Sequence, residues 1–232
     1  MNMISLCVII PIFNEEKFLT ESLQRILEND IYEQIILVDD CSTDNSSKIA
    51  EHFASSHSKA RYLKTSTNSG KGAALALASK EVTTSHVVIH DADLEYFPVD
   101  IIEMFELAKK YNDDLILGSR FIGNKERENI YLRTFLANKI MSQFFSLINL
   151  YKVTDVATCY KLMPSKFFKE IELKEKGFSI EIEVLSKFLK HNKSIKESPI
   201  SYTGRSYEEG KKIKAVDGVL YLYNTLKYKF LN

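Results

Sequence analysis

Short β-branched apolar runs alternate with helical patterns through residues 1–120, and few folds accommodate that order. Leu6–Ile12 and Ile35–Val38 are continuous apolar runs, as expected of strands buried on both faces. Between them, Lys17–Leu27 places Phe18, Leu19, Leu23, Ile26 and Leu27 on one helical face. Ser46–Ala54 does the same with Ile49, Ala50 and Phe53, and Thr43 or Asp44 is the expected N-cap. A weaker strand at Arg61–Thr65, an alanine-rich helix at Lys71–Ser79 and a strand at His86–Ile89 follow. A helix at Ile101–Tyr111 and a strand at Leu115–Gly118 complete the series. The alternation predicts an α/β fold, a mostly parallel central sheet with helices on both faces. Such sheets bind ligands at the carboxyl ends of their strands, so a motif directly after a strand carries most functional weight.

Beyond residue 120 the pattern changes. Tyr131–Leu150 reads as an amphipathic helix, with Leu132, Leu136, Ile140, Phe144 and Ile148 in a stripe that Phe135, Met141 and Phe145 widen. Thr134, Asn138, Ser142 and Ser146 form its narrow polar edge. Ile213–Phe230 repeats the pattern through Val216, Leu220, Tyr223 and Leu226. The rest of the C-terminal third reads as irregular. With no linker or repeat, the expected organisation is a single domain over 1–232.

Charge narrows the partners. Lys+Arg and Asp+Glu balance at 31 each, which gives no basis for nucleic-acid binding. Cys7, Cys41 and Cys159 are odd in number and widely spaced, arguing against zinc or a disulfide framework and fitting a reducing compartment. Cys7 lies in an apolar run and is expected in the core. The N-terminus has no basic region leading into a long apolar stretch, and Leu6–Phe13 is too short to span a bilayer. These features predict a soluble or peripheral protein.

Three motifs follow strands. His90-Asp91-Ala92-Asp93-Leu94-Glu95 offers carboxylates at alternate positions, an oxygen-rich set suited to Mg²⁺ or Mn²⁺. The rival reading is an acidic loop that merely caps the Ile101 helix. Val38-Asp39-Asp40-Cys41-Ser42-Thr43-Asp44 places acidic groups where dinucleotide folds bind a ribose or base. A phospho-receiver domain also carries paired aspartates, but after its first strand and in a chain about half this long. Asn68-Ser69-Gly70-Lys71-Gly72-Ala73 joins two glycines to a helix N-terminus, where backbone can approach an anion, although it is no Walker motif.

With Pro11-Ile12-Phe13-Asn14-Glu15-Glu16 ahead of them and Gly118-Ser119-Arg120 behind, these motifs resemble the family 2 glycosyltransferases of GT-A fold. The resemblance is closest to dolichyl- and polyprenyl-phosphate mannose and glucose synthases. It continues through Asp155-Val156-Ala157-Thr158-Cys159-Tyr160-Lys161, Gly177-Phe178-Ser179-Ile180-Glu181 and the stretch from Tyr202 to Lys212, and so covers nearly the whole chain. It implies a nucleotide-sugar-binding half over 1–120 and an acceptor-binding half over 121–232. It also implies that Pro11, Phe13, Glu15 and Asp39 line the nucleotide pocket, with Asp40, Lys71 and Ala92 close by. Asp91, Asp93 and Glu95 would hold the ion and the diphosphate, Asp93 being catalytic, and Arg120 and Arg133 would grip an acceptor phosphate. Glu95 stands where many mannose synthases have glutamine, Thr158-Cys159-Tyr160-Lys161 replaces a commoner S-G-F-[KR], and Ala137 stands where some relatives have serine. The later motifs favour UDP-glucose as donor, with GDP-mannose next.

The resemblance implies an inverting, in-line displacement. A sugar hydroxyl acceptor needs a general base, for which Glu181 or Glu183 are the candidates. A phosphate monoester, with a second pKa of about 6, arrives as an anion and needs cationic clamps instead. Arg120, Arg133 and the Tyr131–Leu150 stripe point to a lipid phosphate at the cytoplasmic membrane face. The same stripe suits a core or dimer helix, or a membrane-protein partner. Two rivals stand beside this reading: a transferase acting on a saccharide hydroxyl, and a non-catalytic nucleotide-sugar-binding module. Processive synthases carry Q-x-x-R-W, and the chain has no tryptophan. Tyr202–Lys212 is expected to be a mobile loop closing over the donor.

Overall fold

The computed structural model describes residues 4–191, 194–205 and 215–231, without the side chains of 215–217. The first half runs β1 (Leu6–Ile12), α1 (Leu19–Leu27), β2 (Tyr32–Asp39), α2 (Ser46–Ser56), β3 (Ala60–Lys64), α3 (Lys71–Ser79), β4 (His86–Ile89), α4 (Asp100–Lys110) and β5 (Leu115–Ser119). The second half adds β6 (Arg127–Glu128), α5 (Leu132–Asn149), β7 (Lys161–Pro164), α6 (Ser165–Glu170), α7 (Ile180–Lys190), β8 (Ile195–Pro199), β9 (Tyr202–Thr203) and α8 (Ala215–Phe230). The first nine elements sit where the apolar runs place them. At the start of α2 the cap differs from expectation. Asn45 holds the N-cap position, and the Asp44 carboxylate takes the Ser46 N–H from outside at 2.9 Å.

Seven strands form one sheet in the order β3-β2-β1-β4-β7-β5-β8. The pairs β1–β2, β1–β4, β2–β3 and β5–β8 are parallel, whereas β7 runs antiparallel to both β4 and β5. The C-terminal third is therefore not irregular, since it supplies two strands of the main sheet. β6 and β9 form a separate two-stranded sheet. The strand order moves outward from β1 to β3 and then returns to β4 on the other flank of β1. That reversal opens a crevice at the carboxyl ends of β1 and β4.

Burial explains why β1, β2 and β4 were legible: Leu6 to Ile10, Ile36 to Val38 and Val87 to Ile89 are all enclosed, as is Cys7. The helix α5 is oriented against the ordinary rule. Its polar edge faces inward, with Asn138 and Ser142 buried, while Leu132 and Leu147 are each 70 % exposed and Ile140 is 59 % exposed. Of the apolar stripe, Phe145 alone is buried outright, so a core role for the stripe is excluded. The physical reason lies in the chain that follows. Ser142 Oγ accepts the Val156 N–H at 3.1 Å, and Ser146 Oγ accepts the Val153 N–H at 3.0 Å. Buried backbone donors must be met, and the serine edge turns inward to meet them.

The helix α8 repeats the inversion. Tyr221, Asn224, Thr225 and Tyr228 are buried, whereas Leu220, Tyr223, Leu226 and Phe230 are exposed. Among the described residues, no helix is long and apolar enough to cross a membrane.

Candidate active site

The crevice holds a cavity of about 330 Å³. Pro11, Phe13 and Glu15 line it from the end of β1, Asp40 from the end of β2, and Asp91, Ala92, Asp93 and Glu95 from the turn after β4. Gly70 and Lys71 at the start of α3 line it as well, as does Arg120 after β5. Thr134 and Asn138 of α5 and Tyr221 of α8 form another part of the wall. Asn14, Cys41 and Leu94, in the turns that follow β1, β2 and β4, have left-handed φ of 53°, 61° and 62°. Such strain costs about 1–3 kcal/mol per residue and persists where the surroundings hold the chain to a shape.

The acidic motif is a turn rather than an extended segment, with Leu94 at its bend. Asp91 Oδ1 meets the Lys71 ammonium at 2.8 Å. Burial alone would raise the Asp91 pKa, but the Lys71 charge outweighs it and holds the carboxyl below the usual range. Asp93 lacks so favourable a partner. Burial first, then repulsion from Glu95 and Asp91, pushes its pKa up to about 7 despite Arg205. Glu95 is engaged by the protein, with Oε2 accepting from Tyr202 Oη at 2.9 Å and Oε1 from the Arg205 backbone N–H at 2.8 Å. Among the described residues, no three acidic, histidine or cysteine groups converge as a ready cation site.

A chain of buried charges runs behind the turn. Lys71 also reaches Glu181 Oε1 at 2.9 Å, and the other Glu181 oxygen is bonded to Lys161, which has no exposed surface. Glu183 accepts the Lys174 and Glu175 N–H groups and pairs with Lys187. Both candidate bases are thus bound to protein donors. At the end of β4, His90 bridges Ser22 and Tyr160, and burial lowers its pKa to about 4.

Arg120 is held by the Asp155 carboxylate through a fork, Nε to Oδ2 at 2.7 Å and Nη2 to Oδ1 at 2.8 Å. The guanidinium lies beside the rings of Tyr96, Phe121 and Tyr202, and Nη1 is the part of the fork that Asp155 does not engage. Burial works against the charge, but Asp155 keeps the Arg120 pKa well above its ordinary value.

The glycines of α3 are approached by the protein itself. A Cβ at Gly70 would lie 2.3 Å from the Lys176 carbonyl oxygen, and one at Gly72 would lie 1.8 Å from that of Glu175. The Gly72 N–H donates to Lys176 O, and the Ser69 and Gly70 N–H groups donate to Asp40. These donors are therefore not left for a ligand anion.

Residues 7–172 match the family model described as glycosyl transferase family 2. The chain belongs to that family. It is 29 % identical to the dolichol-phosphate mannosyltransferase of Pyrococcus furiosus, over 96 % of this chain and 64 % of that protein. It is 27 % identical to a UDP-N-acetylglucosamine–dolichyl-phosphate N-acetylglucosaminyltransferase of Methanococcus voltae, over 96 % of this chain and 95 % of that one. In fold it is similar to glucosyl-3-phosphoglycerate synthase from Mycobacterium tuberculosis, crystallised with Mn²⁺, UDP and glucosyl-3-phosphoglycerate. The TM-score is 0.74 at 16 % identity, over 97 % of this chain and 80 % of that chain. The fold is therefore of the GT-A type, with its mostly parallel sheet.

Two residues expected at this glycosyltransferase site lie elsewhere. Asp39 is fully buried off the cavity, its oxygens taken by the Ser42 N–H, Ser47 and Tyr62. Arg133 is exposed on α5 and does not line the cavity. The expected lid falls largely on residues 206–214, which lie outside the described residues. The sequence alone does not announce the roles of Asp155, Lys161 and Arg205. Their partners are 35, 20 and 112 residues away in sequence, so no local spacing announces them.

Proposed function

We propose that this chain is an inverting, metal-dependent transferase that moves a hexose from UDP-glucose or GDP-mannose to a polyprenyl or dolichyl phosphate. One observation carries the reading. A single cavity holds the acidic turn and the Asp155-anchored Arg120, and part of its wall comes from α5 and α8, which present apolar faces outward. A donor diphosphate belongs at the acidic side, where Pro11, Phe13, Glu15, Asp40 and Ala92 also lie. A phosphate acceptor belongs at Arg120, whose Nη1 is not engaged by Asp155 and can donate a charge-assisted hydrogen bond to a phosphate oxygen. The names of the two archaeal relatives, both acting with dolichyl phosphates, support this choice.

The carboxylates suit a hard cation in chemical type, and Asp93, with its charge under-compensated, suits one in electrostatics. Asp91 and Asp93 would hold Mg²⁺ or Mn²⁺ together with diphosphate oxygens, an arrangement that needs only one or two protein carboxylates. A bound divalent ion supplies Lewis-acid stabilisation of the leaving diphosphate. Mn²⁺ and UDP in the similarly folded synthase are consistent with this. The acceptor phosphate brings its own negative charge, so the engagement of Glu181 and Glu183 by lysines and backbone amides is no obstacle. For a saccharide hydroxyl acceptor it would be one. Arg133, beside the apolar face of α5, would meet a lipid head group outside the cavity. The protein would then work at the inner face of the membrane without crossing it.

The test is a transfer assay with polyprenyl phosphate, Mn²⁺ and radiolabelled UDP-glucose or GDP-mannose. Chloroform-extractable label is the expected product. Label found only in water-soluble glycans would show that the acceptor is a saccharide.

A further inference from the structure

We infer that Arg205 is the resident counter-ion of the acidic turn, holding in the free enzyme the place of the divalent cation, so that metal and nucleotide diphosphate bind together and metal alone binds poorly. The inference rests on the metal-dependent reading above and adds to it an order of binding.

The geometry is that of a substitute cation. Arg205 Nη2 lies 2.9 Å from Asp93 Oδ2, and Nη1 lies 3.2 Å from Glu15 Oε2. Its Nε is 3.9 Å from Glu95 Oε1, and its backbone N–H donates to that same oxygen at 2.8 Å. Its guanidinium faces the Phe18 ring at 5.5 Å. Three carboxylates from two strand ends thus converge on one side chain. Lys71 serves Asp91 in the same way. Arg205 and Lys71 thus offset part of the turn's negative charge, and among the described residues no ready cation site stands beside them.

The fit is imperfect in a telling way. Among the described residues, Arg205 Nε is buried without a hydrogen-bond partner, although both terminal nitrogens of the group meet carboxylates. A guanidinium selected for a permanent structural pair makes a closed fork, as Arg120 does with Asp155. Arg205 supplies charge to three carboxylates and completes a fork with none, so it is the more readily displaced of the two arginines.

A doubly charged ion on Asp93 and a guanidinium on the same oxygen exclude each other by charge and by volume. Metal entering alone must expel Arg205 and leave its charge without a partner. A diphosphate changes the balance, because its negative oxygens compensate both the ion and the displaced guanidinium. Metal and nucleotide therefore raise each other's affinity, and the coupling is reciprocal.

The test is Mn²⁺ titration followed by the paramagnetic resonance of the free ion, with wild type, Arg205→Gln and Arg205→Lys, each alone and with UDP or GDP. Wild type should bind Mn²⁺ weakly alone and roughly tenfold or more tightly with the diphosphate that fits. Arg205→Gln should bind Mn²⁺ alone roughly tenfold more tightly than wild type, with the coupling to nucleotide reduced by the same factor. Arg205→Lys, which keeps the charge, should stay near wild type. Equal affinity of wild type and Arg205→Gln for Mn²⁺ alone, with nucleotide-dependent binding intact, overturns the counter-ion role and leaves the metal-dependent function standing. If no protein binds Mn²⁺ with either diphosphate, the metal reading itself falls and takes this inference with it. Should Arg205→Gln not fold, Arg205→Met is read in its place, and unchanged affinity for Mn²⁺ alone in that variant overturns the counter-ion role.

Discussion

Asp93 and His90 show how burial sets the chemistry of single residues around the turn. Asp93 sits among like charges, with its pKa raised to about 7, and a cation relieves that repulsion. Asp93→Asn should therefore lower transfer roughly a hundred- to a thousandfold, the scale on which lost electrostatic stabilisation of a transition state registers. Turnover at the wild-type rate would remove the metal role. His90 shifts the other way, from 6.5 to about 4, because its neutral ring is enclosed between Ser22 and Tyr160. The unfolded chain takes up a proton near pH 6.5 that the folded chain refuses until about pH 4. This contribution to stability is complete above pH 6.5 and is lost as pH falls through that window. Denaturant unfolding at pH 7.5 and pH 5 should show His90→Gln losing about 2 kcal/mol less than wild type. Lys161 marks the limit of legibility at this scale. A lysine in a strand reads as a surface residue, and only tertiary pairing with Glu181 makes it a core one.

At the scale of elements, the sequence was most legible where packing is local. β1 and β4 are β-branched runs buried on both faces, and periodicity identifies such strands directly. β7 is not legible in the sequence, because four residues beginning with lysine and ending with proline carry no strand signature. Its place depends on partners more than 40 residues distant in β4 and β5. For α5 the pattern shows that the helix is amphipathic but cannot say which face turns inward. Unmet amides at Val153 and Val156 decide that, and they lie outside the helix. The outward stripe is the feature to test. Ile140→Glu and Leu147→Glu should leave the melting temperature within a degree or two, since exposed substitutions stay within about ±0.5 kcal/mol. The same changes should abolish co-flotation with anionic liposomes. Unchanged flotation would separate the lipid acceptor from this face of the molecule.

Over the whole molecule, the site joins parts that are far apart in sequence: strand ends from the first half, Asp155 and Arg205 from the second. A ligand bridging them should stabilise the fold as a unit. At a hundredfold excess over its dissociation constant it adds about 2.7 kcal/mol, or roughly 5–11 °C in melting temperature for a chain of this length. The expected pattern is a shift with Mn²⁺ plus the matching nucleotide sugar, reversed by chelator. A shift of equal size without any divalent ion would speak against the cation.

The insertion of β7 between β4 and β5 also constrains how the molecule is made. β4 ends at residue 89, but its neighbour is completed only at residue 164, about 75 residues later. At synthesis rates of roughly 5–20 residues per second, a nascent chain holds that gap open for about 4–15 s. During this interval the apolar β4 has one flank unpaired and β5 has no partner in the sheet. The N-terminal half cannot complete its own sheet on the ribosome, and the emerging chain is at its most aggregation-prone until Pro164 arrives.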